Sequence, residues 1–313
     1  MRIAIIGGGW FGAHIATILL DHNHDVTLFE RNHELLHEAS GNNQFRLHQG
    51  FHYPCNHETR VQAWAGFYRF MQAYPHLTRE IPVNLYAVPE RDSLLDFRTY
   101  CTIMKAAGLP FTIVPAPDFL TGIEGCIQVS ERLILTAKAR AHFTRRLAGV
   151  AQFGRAVSLA DVAAFDRVVD ATYGHLCPVP IEIFYEQAIL LRYHANQPFP
   201  AVMLVYGPLC AIYPTEEPDI FTLASVRHTP VDGVVDVEAK RAAMEDEVAR
   251  HFPTFHDIFR FVGPQISDKT KMPGLSEGRA CRVFQQGKVI SVLSGKISGI
   301  FMAADRVLEI VGG

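Results

Sequence analysis

Apolar residues recur along this chain in two rhythms. Residues 3–6 form a short continuous apolar run, and after a glycine cluster Ile15, Ile18 and Leu19 fall three and four apart. The first pattern suits a buried strand and the second a helix with one apolar face. A further apolar run over 26–29 makes the opening strand–helix–strand. The same order returns at the other end, with a strand over 288–293, a glycine-containing turn, and an apolar-periodic helix over 300–310 carrying Phe301, Ala304, Val307 and Leu308.

Between these ends the spacing predicts a helix over 58–74, with Val61, Trp64, Tyr68 and Met71 on one face and Pro75 as its stop. A strand over 79–88 follows. The next helix has Asp92 or Ser93 as its cap, Leu94, Phe97, Cys101 and Met104 as its apolar positions, and Gly108 at its end. Strands over 111–114 and 126–130, a helix over 136–147 and a strand starting at 150–153 come next. The β-branched run within 165–174 suits a buried parallel strand. Residues 185–193, 201–206 and 219–228 read as consecutive strands separated by turn residues, which is antiparallel in character. A charged helix over 236–251 turns Ala242, Met244 and Val248 inward.

The first glycine cluster adds chemistry to this pattern. Gly7-Gly8-Gly9-Trp10-Phe11-Gly12 stands between strand and helix, and Glu30 ends the second strand 18 positions past Gly12. In a G-x-G-x-x-G turn, Gly7 permits the tight turn, Gly9 lets backbone approach a pyrophosphate, and Gly12 lets helix and strand pack closely. The helix N-terminus offers free N–H groups and partial positive charge to phosphates, and Glu30 can accept hydrogen bonds from a ribose. The unit therefore predicts dinucleotide binding.

Residues 33–37 spell H-E-x-x-H, a zinc-ligand pattern. Ser40 and Asn43 occupy the places of the glycine and third histidine of its extended form, so a solvated helix face is expected there, with no metal. Residues 39–60 then become irregular and rich in hydrogen-bonding groups, among them Ser40, Asn42, Asn43, Gln44, Arg46, His48, His52 and Tyr53. A long polar loop directly behind the second strand suits contact with a large polar ligand.

Composition narrows the class further. With 313 residues, 49% apolar and 19% charged, the chain suits a globular enzyme of one large or two smaller domains. A net charge of −3 gives no sign of a nucleic-acid or anionic-membrane partner. Six scattered cysteines without a C-x-x-C pair predict free thiols in the cytoplasm. The apolar start is too short for a signal peptide, and no apolar run approaches the length of a membrane helix.

The sequences GGGWFG, LFERN and ASGNNQFRLHQGFHY resemble the FAD-dependent oxidoreductases of the D-amino-acid-oxidase family. The resemblance implies FAD as cofactor and an α/β fold: a Rossmann-like, discontinuous FAD-binding domain over 1–80, 131–180 and 276–313. An inserted antiparallel-sheet substrate domain would span 81–130 and 181–275. It implies cofactor contacts by Gly7, Gly9, Trp10, Phe11, Gly12, Glu30 and Arg31, and by the loop residues Ser40, Asn42, Asn43 and Gln44. The returning strand would add Ala171 and Thr172, although Ala171-Thr172-Tyr173-Gly174 departs from the family's A-x-G. The C-terminal turn would add Gly295, Lys296, Ile297 and Ser298.

Arg46 and His48 match ring-facing positions, where one of them would bind an anionic or polar substrate group. Lys296 would act at the flavin edge, steadying the reduced ring or promoting reaction with oxygen. Tyr193, Tyr206, Tyr213 and Arg227 are further candidates for the pocket wall. The expected reaction moves a hydride from a C–H bond beside an amine or hydroxyl of a small molecule to flavin N5. A non-redox flavin enzyme of the UDP-galactopyranose-mutase kind, an NAD(P)-dependent dehydrogenase and a degenerate nucleotide-binding module are the alternatives.

Overall fold

In the computed structural model, residues 1–231, 233–272 and 280–312 are described. The expected domain boundary between 275 and 276 lies outside the described residues. Among them, six strands form one sheet in the order Arg282–Gln286, Val289–Leu293, Arg167–Asp170, Arg2–Ile6, Asp25–Phe29, Ala151–Gln152. Every pairing is parallel except that of the edge strand Arg282–Gln286 with its neighbour. Chain start, chain end and the middle strand Arg167–Asp170 thus lie side by side. Ile3, Ile5, Val169 and Ile290 are wholly buried on the face that helices cover, and Ala4, Ile6 and Val168 pack on the other face against Val162 and Phe165, so these strands carry apolar residues on both faces.

A second, nine-stranded sheet carries most of the remaining chain. It is mixed rather than purely antiparallel, since Ala201–Leu204 runs parallel to Asn84–Pro89. Its strand Phe259–Lys271 pairs along nearly the whole of Phe184–Ala195. Gly263 and Pro264 argue against a strand in that stretch. They are accommodated because the strand pairs on one side only, and the register shifts beside Arg192 and Tyr193. A small third sheet joins Arg46–Leu47, Arg132–Ile134 and Thr78–Glu80. The expected strand over 79–88 is therefore two strands serving two sheets, broken where Pro82 supplies no N–H.

Four helical expectations need correction. The helix His57–Ala73 buries Ala63, Gly66, Phe67 and Phe70, not the Val61–Tyr68 face, which is half exposed. Gly66 sets this rotation: a Cβ there would lie 2.0 Å from the Ser298 carbonyl oxygen, so the helix presses backbone to backbone on the C-terminal turn. The helix Phe97–Ala106 is capped by Asp96, whose Oδ1 accepts from Thr99 N at 2.8 Å, while Ser93 bonds to the backbone of Tyr206. In Val237–Ala249, Met244, Glu247 and Val248 are buried and Ala242 is exposed. Residues 31–38 form bends and turns, not a helix, because Leu35 and Leu36 are both drawn into the core. No metal-ligating cluster exists among the described residues.

Candidate active site

The two chain ends and the second sheet enclose one large cavity of about 850 Å³. At one end stands the glycine turn. Gly7 has φ +104°, and a Cβ there would meet the Ala171 carbonyl oxygen at 2.7 Å. A Cβ on Gly12 would lie 1.9 Å from the Gly7 carbonyl oxygen, so only glycine lets the helix Trp10–Asp21 leave the strand so closely. Gly9 is the cap of that helix, and the Trp10 N–H donates to Ser40 Oγ at 3.1 Å. The Trp10 ring packs edge-on against Phe70 and Phe143 in the core, so the backbone of this residue is what borders the cavity.

Glu30 is buried at the second strand's end. Its Oε2 accepts from Gly8 N at 2.6 Å and its Oε1 from Asn32 N at 2.7 Å, which ties the acid to the glycine turn. Arg31 borders the cavity and is paired with Glu38 at 2.9 Å.

The polar loop folds on itself. Asn42 Nδ2 donates to the His37 carbonyl at 2.8 Å, Asn43 Nδ2 to the Ala39 carbonyl at 2.9 Å, and Gln265 Nε2 to the Asn43 carbonyl at 2.9 Å. Ser40, Asn43 and Gln44 line the cavity; Asn42, Gly12 and Ser298 do not, and shape it from behind. On the returning strand, Ala171 and Thr172 line it as well. Asp170, buried, accepts from both Thr172 N and Thr172 Oγ1 and from Cys177 N, so the Thr172 hydroxyl holds the strand's end in place.

Arg46, His48 and Lys296 come together although they are distant in sequence. Lys296 Nζ lies 3.2 Å from His48 Nε2 and 5.2 Å from the Tyr53 ring centre. Burial holds His48 well below the ordinary histidine range, and the positive charges of Lys296 and Arg46 add to this, so the ring is neutral. Lys296 donates to its Nε2 lone pair.

Arg46 is fully enclosed. Its Nη2 contacts Glu131 Oε2 at 3.1 Å and the Tyr86 hydroxyl, its Nη1 contacts Met203 Sδ at 2.9 Å, and its guanidinium lies 4.9 Å from the Tyr213 ring centre. Glu131 also accepts from Gln49 N at 2.9 Å and Tyr86 Oη at 2.9 Å, and its Oε1 faces His48 Nδ1 at 3.9 Å.

Glu131 stands in the short link between the strands Ile123–Gln128 and Arg132–Ile134, with no motif around it. The one available signal was a charged residue immediately before an apolar strand. Of the four further candidates only Tyr206 lines the cavity. Tyr213 packs on Arg46, Tyr193 bonds to Glu245 at 2.8 Å in a separate core, and Arg227 is exposed.

The cavity fits the expected cofactor. The glycine cradle would be filled by any Cβ, helix N–H groups border one end, and Gln44 Nε2 and His48 Nδ1 are buried without hydrogen-bond partners along the wall. Such a wall suits an elongated ligand with phosphates at one end and a polar ring at the other.

Residues 2–108 match the family model described as DAO, FAD dependent oxidoreductase. The chain is 47% identical to the FAD-dependent monooxygenase FPY4 of Fusarium mangiferae, over 99% of this chain and 90% of that protein. It is 28% identical to the FAD-dependent monooxygenase kojA of Aspergillus flavus, over 99% of this chain and 86% of that protein. In fold it resembles glycine oxidase from Geobacillus kaustophilus, with a TM-score of 0.78 at 14% identity over 99% and 94% of the two chains. It also resembles dithionite-reduced L-α-glycerophosphate oxidase from Mycoplasma pneumoniae with FAD bound, with a TM-score of 0.78 at 13% identity over 100% and 94%. The mutase-like, NAD(P)-dependent and non-catalytic alternatives give way to these relationships. The chain belongs to the FAD-dependent oxidoreductases of the D-amino-acid-oxidase family.

Proposed function

We propose that this enzyme oxidises a small molecule at a C–H bond beside an amine or hydroxyl, with oxygen as the final acceptor. Bound FAD would supply the two-electron chemistry, as acceptor from the substrate and donor to oxygen. The observation that carries the reading is the Lys296–His48 pair, one residue from each chain end, set in the cavity that also holds the glycine turn.

In this reading Gly7, Gly9 and the N-terminus of the helix Trp10–Asp21 hold the phosphates, and Glu30 stands beside the ribose. Ser40, Asn43, Gln44, Ala171, Gly295 and Ile297 follow the ligand toward its ring. Trp10 and Phe11, Arg31 and Thr172 border it, with Gly12, Asn42 and Ser298 behind. Once the Lys296 ammonium releases the Nε2 lone pair, the neutral His48 can take the proton of the substrate's amine or hydroxyl, a role that imidazole suits. Lys296 holds positive charge at the place where negative charge arrives on reduction. Arg46, its charge balanced by Glu131, acts by fixing the polar wall behind His48 and not by clamping a substrate anion.

The names of the two fungal relatives support a second reading, transfer of an oxygen atom to the substrate. One experiment separates them. The holoenzyme is mixed anaerobically with a panel of amines and alcohols, and the visible spectrum is followed; air containing ¹⁸O₂ is then admitted. Bleaching by substrate alone, with no label in the organic product before hydrolysis, supports dehydrogenation. Bleaching only by NADH or NADPH, with label in the product, supports oxygen transfer.

A further inference from the structure

One stretch of the cavity wall formed by the second sheet is apolar, unlike the stretch that carries Glu186, Asp268, Lys269 and Lys271. Met203 of Ala201–Leu204 pairs with Ala211 of Cys210–Pro214, and Ala211 pairs with Ala224 of Ile220–Ser225. These three residues lie in one row across three strands, and all border the cavity, as does Leu190 of the adjoining strand. Two alanines between a methionine and a leucine leave a shallow apolar trough. It starts beside the reaction centre, because Met203 Sδ touches Arg46 Nη1 at 2.9 Å.

It ends at the mouth with Val226 and Leu94, which line the cavity yet are 55% and 70% exposed. Large apolar side chains left in water at a cavity mouth mark a route for an apolar ligand.

The Ser225 and Thr229 hydroxyls along this stretch are bonded to the protein. Ser225 Oγ donates to Glu247 at 2.9 Å and accepts from the His228 N–H at 3.0 Å; Thr229 Oγ1 accepts from Ser225 N at 3.1 Å. The guanidinium that borders the trough is neutralised by Glu131.

We infer that the substrate carries an uncharged aliphatic chain, laid along the Met203–Ala211–Ala224 trough toward Val226, with its amine or hydroxyl at His48 and Lys296. Ala211 and Ala224 then set specificity by leaving room for the chain. This inference rests on the oxidation reading above for the position of the reacting group.

The test uses unbranched primary amines and alcohols from two to eight carbons, added to the oxidised holoenzyme without oxygen. Perturbation of the flavin spectrum gives binding, and bleaching gives reduction. Binding should tighten about fourfold per methylene until the chain reaches the mouth. Ala224→Leu and Ala211→Leu should abolish that dependence on length while FAD content is kept. Val226→Asn, at an exposed position that does not endanger folding, should weaken binding of the eight-carbon probe at least threefold. Bleaching without any dependence on chain length, or tighter binding of a polyol than of the alkyl probe of equal carbon number, overturns the inference. Length-dependent binding without bleaching by any probe upholds the trough and overturns the oxidation reading instead.

Discussion

Lys296 Nζ and His48 Nε2 lie 3.2 Å apart across 248 positions of sequence. The contact joins the C-terminal turn to the loop behind the second strand, and it depends on backbone packing remote from either side chain. Gly66 lets the helix His57–Ala73 descend onto Ser298, which fixes the turn Ile297–Gly299 and hence Lys296. Lys296→Met should retain FAD and slow reoxidation of the reduced enzyme by oxygen by on the order of a hundredfold, as loss of one placed charge does in a preorganised site. Stopped-flow mixing of the reduced variant with aerated buffer measures it. A reoxidation rate equal to that of the parent would remove Lys296 from the mechanism.

Arg46 and Glu131 form an ion pair whose side chains are only 3% and 0% exposed. Glu131→Gln leaves a buried guanidinium without its counter-charge and should cost about 3–5 kcal/mol. The double variant Arg46→Met, Glu131→Leu removes both charges and should recover most of that loss, because two desolvated charges gain little over a packed apolar pair. Urea unfolding of the holoenzyme reads both. Equal losses in the single and double variants would show that the pair is not coupled in this way.

His14 is a structural counterpart of His48. It is buried against Tyr74, with Nδ1 2.7 Å from the hydroxyl, and burial lowers its pKa from 6.5 to about 3. The folded protein therefore keeps this ring neutral where the unfolded chain protonates it. The unfolded state binds the extra proton below about pH 6.5, so stability is complete above that pH and falls as the pH drops toward about 3. The slope approaches about 1.4 kcal/mol per pH unit for this one group. His48 acts in the same direction. His14→Asn should flatten the loss between pH 6 and pH 4, in thermal melts of the holoenzyme, to ~half of the parental slope if two buried histidines share it. An unchanged slope would place the acid sensitivity elsewhere.

The glycine turn gives a graded prediction. Gly12→Ala drives a Cβ into the Gly7 carbonyl at 1.9 Å, backbone against backbone, and should yield protein without FAD. Gly9→Ala meets only Ser40 Oγ at 2.9 Å, a hydroxyl that can turn aside, and should retain a folded chain with FAD affinity lowered by on the order of tenfold. Flavin absorbance per mole of purified protein ranks the two. The reverse order would contradict the close approach of helix and strand at Gly12.

The ends of the chain were readable in sequence because their physics is local. A short apolar run, a glycine turn and an apolar-periodic helix each follow from neighbouring residues, and both ends gave them. The helix face Ala63–Gly66–Phe70 was not readable, since a tertiary contact with Ser298 overrides the apolar spacing of Val61 and Tyr68. The strand Phe259–Lys271 was hidden by Gly263 and Pro264, which an edge tolerates and a central strand does not. Glu131 could not be found from sequence either. A lone buried carboxylate acquires meaning only once the fold places Arg46, Tyr86 and Gln49 around it.

The anaerobic spectrum of the purified enzyme tests the central claim most directly. Addition of an aliphatic primary amine or alcohol, with no other reductant, should bleach the FAD absorbance, and admission of air should restore it. FAD that stays oxidised in the presence of every such compound, and is bleached only by dithionite or a reduced nicotinamide, would contradict the reading of the His48–Lys296 cavity as a site of substrate oxidation.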